Sequence, residues 1–308
     1  MISLGLAAAF LFEIGLCVAV CVWAWDASVG TLPIGLIVVL AFCTVLAFRI
    51  LVFLLEFAFS LLSRTPRSPE DRIGFLGAVR MIVGEILAFL FMYCLLLPFS
   101  RRLVALRRGN VTRAAQPPVL LIHGYGCNAG IWVPMISYLW RRGLTNVFTM
   151  NLHPKHGNID DYAQQLAARV VRICETTRAP KVILVGHNMG GLVARAYVER
   201  CGGAGRVAKI ISVGTPHHGT RTAWFPRGVN TNQMRVNSEW LQDLNRDENR
   251  RSNIEHVSIY SIHDNVIMPQ SSSELGMAKN IPLAGKGHYT LVLSRRVGRL
   301  ICREVKAA

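Results

Sequence analysis

The residues with the clearest chemical signature lie in short segments far apart in the chain. One is Val185-Gly186-His187-Asn188-Met189-Gly190-Gly191, set between an apolar run, Lys181–Val185, and a helix-like stretch, Gly190–Arg200. Strand, glycine-flanked residue and helix is the order that a nucleophile elbow demands. The turn is too tight for side chains at Gly186 and Gly190, and the helix that follows aims its first amides at the reacting oxygen. The central position is Asn188. A second segment holds Asp264, just past a predicted strand, where an acid can orient an imidazole; His263 beside it is not assigned a role. A third holds His288, in a glycine-rich loop ahead of the last predicted helix. Nucleophile position, acid and base together spell acyl transfer. His123-Gly124-Tyr125-Gly126 ends an earlier apolar run, with His123 as a structural loop residue. Taken singly, Asp264 reads equally as a turn former and the glycine cluster as a phosphate loop.

Gly214-Thr-Pro-His-His-Gly219 follows the strand after the elbow. The combination of His-Gly-Tyr-Gly, Val-Gly-His-x-Met-Gly-Gly-Leu-Val-Ala-Arg and Gly-Thr-Pro-His-His-Gly resembles the bacterial triacylglycerol lipases and their esterase relatives in the α/β-hydrolase superfamily. The resemblance covers roughly Pro117 to the C-terminus. It implies hydrolysis of carboxylic esters, lipid or small-ester substrates, the family's chain order of elbow, acid and histidine, the backbone amides of Tyr125 and Met189 as candidate oxyanion donors, a structural Gly-Thr-Pro-His loop beside an acyl pocket, and a lid-like segment over about Thr220–Asn253. It calls for no metal or organic cofactor.

One departure governs the rest. The family pattern has serine at position 188, and this chain has Asn188. An amide nitrogen is delocalised and is no nucleophile at neutral pH, so His288 has no useful proton to remove. Loss of a triad nucleophile costs on the order of a million-fold in rate. Three explanations stand: a variant of an active serine hydrolase, a silent protein that keeps the pocket to bind acyl lipid or a protein partner, or deamidation to a carboxylate nucleophile. Met189 in place of a following glycine argues against the last. Ser212 and Cys127 are the other nearby hydroxyl and thiol, and neither lies in an elbow pattern.

The elements that must position these residues alternate. Val119–Ile122, Val147–Met150, Lys181–Val185, Val207–Val213 and Val257–Ile262 read as buried strands. Ile131–Arg142, Ile159–Cys174, Gly190–Arg200 and Tyr289–Val305 read as helices. That pattern predicts an α/β fold with a mostly parallel sheet flanked by helices, over residues 117–308.

The first hundred residues are of another kind. Three apolar stretches, Ile2–Trp25, Leu32–Leu62 and Ile73–Phe99, each exceed the ~20 residues a membrane helix needs. They predict an all-α transmembrane anchor of about three helices over 1–100, with two as the alternative, followed by a basic linker at 101–116. Glu13, Arg49, Glu56, Arg80 and Glu85 fall inside these stretches and call for partners. They read either as pairs between helices or as a headgroup site or path toward the second domain. Only 17% of the 308 residues are charged, against about 25% in soluble domains. Residues 1–100 carry a net charge of −1 and residues 101–308 a net of +17. The basic block suits attraction to anionic headgroups, or simply a solvated surface, and lacks the motifs of nucleic-acid binding. Basic residues follow both the second and the third stretch, which cannot both be cytoplasmic if all three span. The segment after the third is the more basic, which points to an integral protein of a bacterial inner membrane with its second domain in the cytoplasm. The eight cysteines show no CxxC pair, which argues against zinc or dithiol chemistry. Nothing assigns an oligomeric state, and no inverted repeat suggests a transporter.

Overall fold

The computed structural model describes residues 4–27, 33–66, 68–105, 116–246 and 254–308. The chain divides into two compact units at Leu62/Ser63. The first holds α1 (Leu4–Ala27) and α2 (Ile34–Leu62). They pack through Ala24, Ile37, Ala41, Phe53 and Phe57, while Val18, Trp23, Phe42 and Leu55 remain exposed. A helix apolar on every side has no water-facing face to offer. The 29 residues of α2 span roughly 43 Å at 1.5 Å each, more than a bilayer's ~30 Å hydrocarbon core. Among the described residues two helices are long and apolar enough to cross a membrane, Ile34–Leu62 and Phe75–Leu96; the apolar stretch Gly15–Ala27 is shorter.

The second unit is built on a six-stranded, all-parallel sheet: β1 (Val119–Ile122), β2 (Val147–Met150), β3 (Val182–His187), β4 (Val207–Val213), β5 (Glu255–Ser261) and β6 (Lys279–Leu283), in the order β2-β1-β3-β4-β5-β6. The central strands β1 and β3 are apolar almost throughout because both faces are covered, while β4 and β5 also carry Lys209, Ser212, His256 and Ser258. Alternate residues serve opposite layers. Val119, Leu121, Ile183 and Val185 pack with α5 (Val133–Arg141), α10 (His288–Leu293) and α11 (Arg295–Lys306). Leu120, Ile122, Val182 and Leu184 pack with α6 (Ile159–Thr177) and α7 (Met189–Arg200). Between β4 and β5 lie the short helices α8 (Val229–Gln233) and α9 (Glu239–Arg246).

Three features differ from the sequence expectations. The last helix is two, because Ser294 takes an extended conformation and its hydroxyl caps the amide of Arg296. Strand β6 was not expected. It is an edge strand of mixed polarity, and Pro282 within it is tolerated only because an edge has no partner on its outer side. The third difference concerns the boundary. The third apolar stretch forms α3 (Phe75–Phe91), a single wider turn of π type (Met92–Leu96) and α4 (Ser100–Ala105), and all three belong to the second unit. Met92 and Leu96 are buried in the same core as Trp132 and Leu291. The carbonyl of Leu96 lies where a Cβ on Gly130 would be, 2.2 Å away, and Asn128 Nδ2 donates to the carbonyl of Leu97. Residues 106–115 of the expected linker lie outside the described residues. By its contacts the chain thus divides at Leu62/Ser63, inside the expected anchor of 1–100.

Candidate active site

Strand order reverses between β1 and β3, so the loops leaving these two strands diverge and open a crevice at their C-terminal ends. Open parallel sheets place ligands there. The loop after β1 carries Gly124 and Tyr125, and the turn after β3 carries Asn188.

Asn188 has φ 53° and ψ −124°, a conformation that strains any residue with a side chain. Its amide donates to the carbonyl of Val213 at 3.0 Å, and its carbonyl accepts from Gly191 N at 3.2 Å. The turn closes only because its flanks lack side chains. A Cβ on Gly186 would lie 2.3 Å from Gly191 N, and one on Gly190 would lie 2.4 Å from the carbonyl of Ile122. A Cβ on Gly124 would meet that of Asn188 at 2.6 Å, so the loop bearing Tyr125 runs directly against the elbow.

The structure brings Asn188, Asp264 and His288 together. His288 Nδ1 lies 2.9 Å from Asp264 Oδ2, and His288 Nε2 lies 2.9 Å from Asn188 Nδ2. The other atom of the carboxamide, Oδ1, accepts from Met189 N at 2.7 Å. A backbone amide can only donate, so the atom facing Met189 must be the oxygen and the one facing His288 the NH2 group. That fixes the imidazole tautomer as well. Nε2 accepts, and the proton sits on Nδ1, pointing at Asp264. Asp264 Oδ1 accepts from the amides of Val266 and Ile267, both at 2.8 Å. All three side chains are nearly closed off from solvent. Tyr125 is half-buried, its hydroxyl 3.3 Å from His156 Nδ1.

His123 is an internal brace. Its Nε2 accepts from Leu152 N at 3.1 Å and its Nδ1 faces the carbonyl of Gly124. Burial pulls its pKa down to about 4, so it is neutral at physiological pH. The two other nearby candidate nucleophiles are inert for identifiable reasons. Burial pushes the Cys127 thiol up to about 12. Ser212 Oγ meets His217 Nε2 at 2.9 Å, but Arg195 Nη1 lies 3.4 Å from Nδ1 of that imidazole. Nδ1 thus faces a donor, which leaves Nε2 as the protonated nitrogen. His217 therefore donates to Ser212 and cannot act as its base, and both are fully buried.

Several residues that support the site were not found from sequence. Asn265 Oδ1 accepts from His288 N at 2.9 Å. Gln270 Nε2 donates to the carbonyl of Asp264, and Gln270 Oε1 accepts from Thr65 N. Glu85 is fully buried, and its two carboxyl oxygens accept from Tyr289 N at 2.5 Å and Thr290 N at 2.9 Å. These amides belong to the first turn of α10, the helix that begins with His288, and helix starts leave such amides without an internal partner. A Cβ on Gly287 would lie 2.3 Å from Glu85 Cδ. The available signal was an acidic residue inside an apolar stretch, but its partner is backbone some two hundred residues away rather than another helix's charge. No cluster of metal-ligating side chains occurs among the described residues.

The expected lid region holds α8 and α9, with Trp224 and Phe225 exposed ahead of them and Arg235 over the Trp224 ring at 4.2 Å. Thr220 Oγ1 donates to the carbonyl of Val266, tying the start of this region to the Asp264 loop. Residues 247–253 lie outside the described residues.

Comparison with known proteins bears on the fold. Residues 156–283 match the family model described as a PGAP1-like alpha/beta domain. Two curated relatives named triacylglycerol lipase, from Pseudarthrobacter phenanthrenivorans and Burkholderia plantarii, are each 32% identical over 124 residues. That stretch is 38% of this chain and only 38% and 34% of the relatives' own lengths. Among solved structures, a mature Bacillus licheniformis lipase superposes with a TM-score of 0.56 at 17% identity, covering 62% of this chain and 92% of that one. Aspergillus fumigatus lipase B gives 0.56 at 16% identity, covering 64% and 54%. At such identities the likeness is one of fold, and the fold is that of the α/β-hydrolases. Together these matches support the α/β-hydrolase superfamily.

Proposed function

We propose that this protein is a membrane-anchored hydrolase of the lipase and esterase type, built for carboxylic esters of lipids and silenced at its nucleophile. The observation that carries this reading is the double engagement of the Asn188 carboxamide, with its NH2 on His288 Nε2 and its oxygen on Met189 N. A serine in this place would donate its hydroxyl proton toward the same imidazole nitrogen and leave the Met189 amide open for an oxyanion. The base, the acid and one oxyanion donor are thus set for a reaction that the residue at 188 does not start.

With serine at 188 the steps are these. The hydroxyl oxygen attacks the ester carbonyl carbon as its proton passes to His288 Nε2, and the amides of Met189 and Tyr125 hold the oxyanion. The alcohol leaves with the proton from His288, and water then repeats the sequence to release the acid. Asp264 orients the imidazole and offsets its charge throughout.

Lipid is the substrate class that the surroundings favour. Helix α3 exposes Phe75, Leu76, Val79, Val83, Leu87 and Phe91, while Glu85 and Ala88 on its other side are buried and Glu85 accepts from the amides of α10. A contiguous apolar surface of this kind suits lipid contact. α2 and α3 then anchor the chain, and the basic surface of residues 101–308 favours the anionic leaflet.

One observation also favours a second reading, an acyl-lipid-binding protein without turnover. The carboxamide oxygen itself occupies the Met189 amide that an oxyanion would need. Hydrolysis of p-nitrophenyl butyrate and octanoate by the purified chain and by Asn188→Ser separates the two. Turnover by the serine variant alone supports a silenced hydrolase. No turnover by either, with both folded, rejects it in favour of the binding role.

A further inference from the structure

We propose that the cleft between α3 and the start of α11 is a binding site for an acidic phospholipid. The cleft is a shallow depression, open to solvent, of about 570 Å³, and its two walls differ in kind. One is the apolar side of α3, with Gly84, Leu87, Ala88 and Phe91. The other carries Lys286, Arg295, Arg296 and Arg299. Thr290 and Ser294 lie between them.

The cationic wall is unfavourable as it stands. Arg295 and Arg296 occupy the first turn of α11, where the positive end of the helix dipole opposes cations. Arg299 lies one turn on, on the same face. Among the described residues, none of the four cations of this wall forms an ion pair with an acid. Four like charges in one wall repel one another, two of them at the wrong end of a dipole, and an anion relieves both penalties at once. Arginine suits phosphate in particular, because its planar fork can bond two oxygens together.

The apolar wall decides what carries the anion. It is continuous with the outward face of a helix long enough to cross a bilayer. A soluble phosphate would leave Leu87 and Phe91, both exposed, uncovered. A lipid with a net-negative headgroup fills both walls, phosphate under the arginines and an acyl chain along α3. This proposal rests on the membrane reading of α3 and is independent of the chemistry at Asn188.

Native mass spectrometry of the full-length protein, released from detergent with phosphatidylglycerol, phosphatidylcholine or glycerol phosphate, provides the test. Extraction from membranes by detergent but not by carbonate checks the membrane reading separately. Phosphatidylglycerol adducts should persist where phosphatidylcholine adducts do not, with little competition from glycerol phosphate. At about fivefold per basic residue, Arg295→Ala/Arg296→Ala/Arg299→Ala should weaken phosphatidylglycerol retention roughly a hundredfold. Alanine favours helix, so α11 should survive this change. Leu87→Glu, on an exposed position, should abolish retention with the cations intact. Arg172→Ala/Lys181→Ala/Arg206→Ala, which removes three exposed cations elsewhere, should leave it unchanged. Equal retention of both lipids, full competition by glycerol phosphate, or an effect of the control triple as large as that of the arginine triple would overturn the proposal.

Discussion

Glu85→Ala is the most informative single change, because it acts on His288 from a helix outside the sequence motifs. The substitution leaves the amides of Tyr289 and Thr290 without their acceptors. An unsatisfied amide costs about 1–3 kcal/mol, and both residues are only partly buried, so roughly 2–4 kcal/mol in all is a fair expectation. That is within the 5–15 kcal/mol by which a domain is usually stable, so the fold should persist while the start of α10 loosens. His288 is the first residue of that helix and meets both Asp264 and residue 188 at 2.9 Å. A displacement of about 1 Å in such a constellation costs on the order of a hundredfold in rate. In the Asn188→Ser background kcat should therefore fall about a hundredfold, with KM for p-nitrophenyl butyrate within a few-fold. Hydrogen exchange at Tyr289 and Thr290 should quicken in the unmodified background too, which keeps the test valid should Asn188→Ser prove inactive. Glu85→Gln retains one acceptor oxygen and should be intermediate in both assays. Unchanged exchange at these two amides in a folded Glu85→Ala protein would refute the reasoning.

Gly190→Ala should lower the thermal midpoint by several degrees, since its Cβ would press on the carbonyl of Ile122 and such overpacking costs about 1–3 kcal/mol; an unchanged melt would mean that the elbow has slack. Stability should fall as pH drops from about 6.5 to 4. His123 and His256 are held neutral by burial, with pKa values near 4 and 3, so over that window the unfolded chain binds protons that the folded chain does not. Urea midpoints measured from pH 7 to 4 check this, and a flat profile would contradict it. A chain shortened to Ser63–Ala308 should keep a cooperative transition in detergent, whereas Gln116–Ala308 should lose it. The second truncation strips Met92, Leu96 and Glu85 from sites that are wholly or almost wholly buried; far-ultraviolet and near-ultraviolet circular dichroism distinguish the two outcomes.

The parts of this protein legible in its sequence are those whose cause is local. Strands β1 and β3 announce themselves because both faces are covered and nearly every residue is apolar. The elbow is legible because a strained turn needs Gly186 and Gly190 at fixed distances from position 188. Asp264 could be singled out because it lies just past a strand, and His288 because it lies in a glycine-rich loop ahead of the last predicted helix, in the chain order of the α/β-hydrolases. Edge strand β6 escaped because its outer side is unpaired, which lets polar residues and Pro282 enter and erases the apolar pattern. The break at Ser294 escaped because a single capping residue leaves the apolar period on either side almost undisturbed.

What only the tertiary structure decided is where α3 belongs and what Glu85 does there. Composition marks Ile73–Phe99 as a stretch for lipid, and it cannot reveal that one side of that stretch is core to an α/β body. Glu85 reads as a charge in need of a partner. That partner is a pair of backbone amides on α10, which have no side-chain identity for a sequence to display. The engagement of Asn188 is of the same kind. Its residue type told of a missing nucleophile, while the placement of its NH2 on His288 and its oxygen on Met189 follows from the angle at which β3 turns into α7. Side-chain pattern records what each residue is and what its near neighbours in the chain require. Contacts made through backbone atoms, across two hundred residues, exist only once the chain has closed on itself.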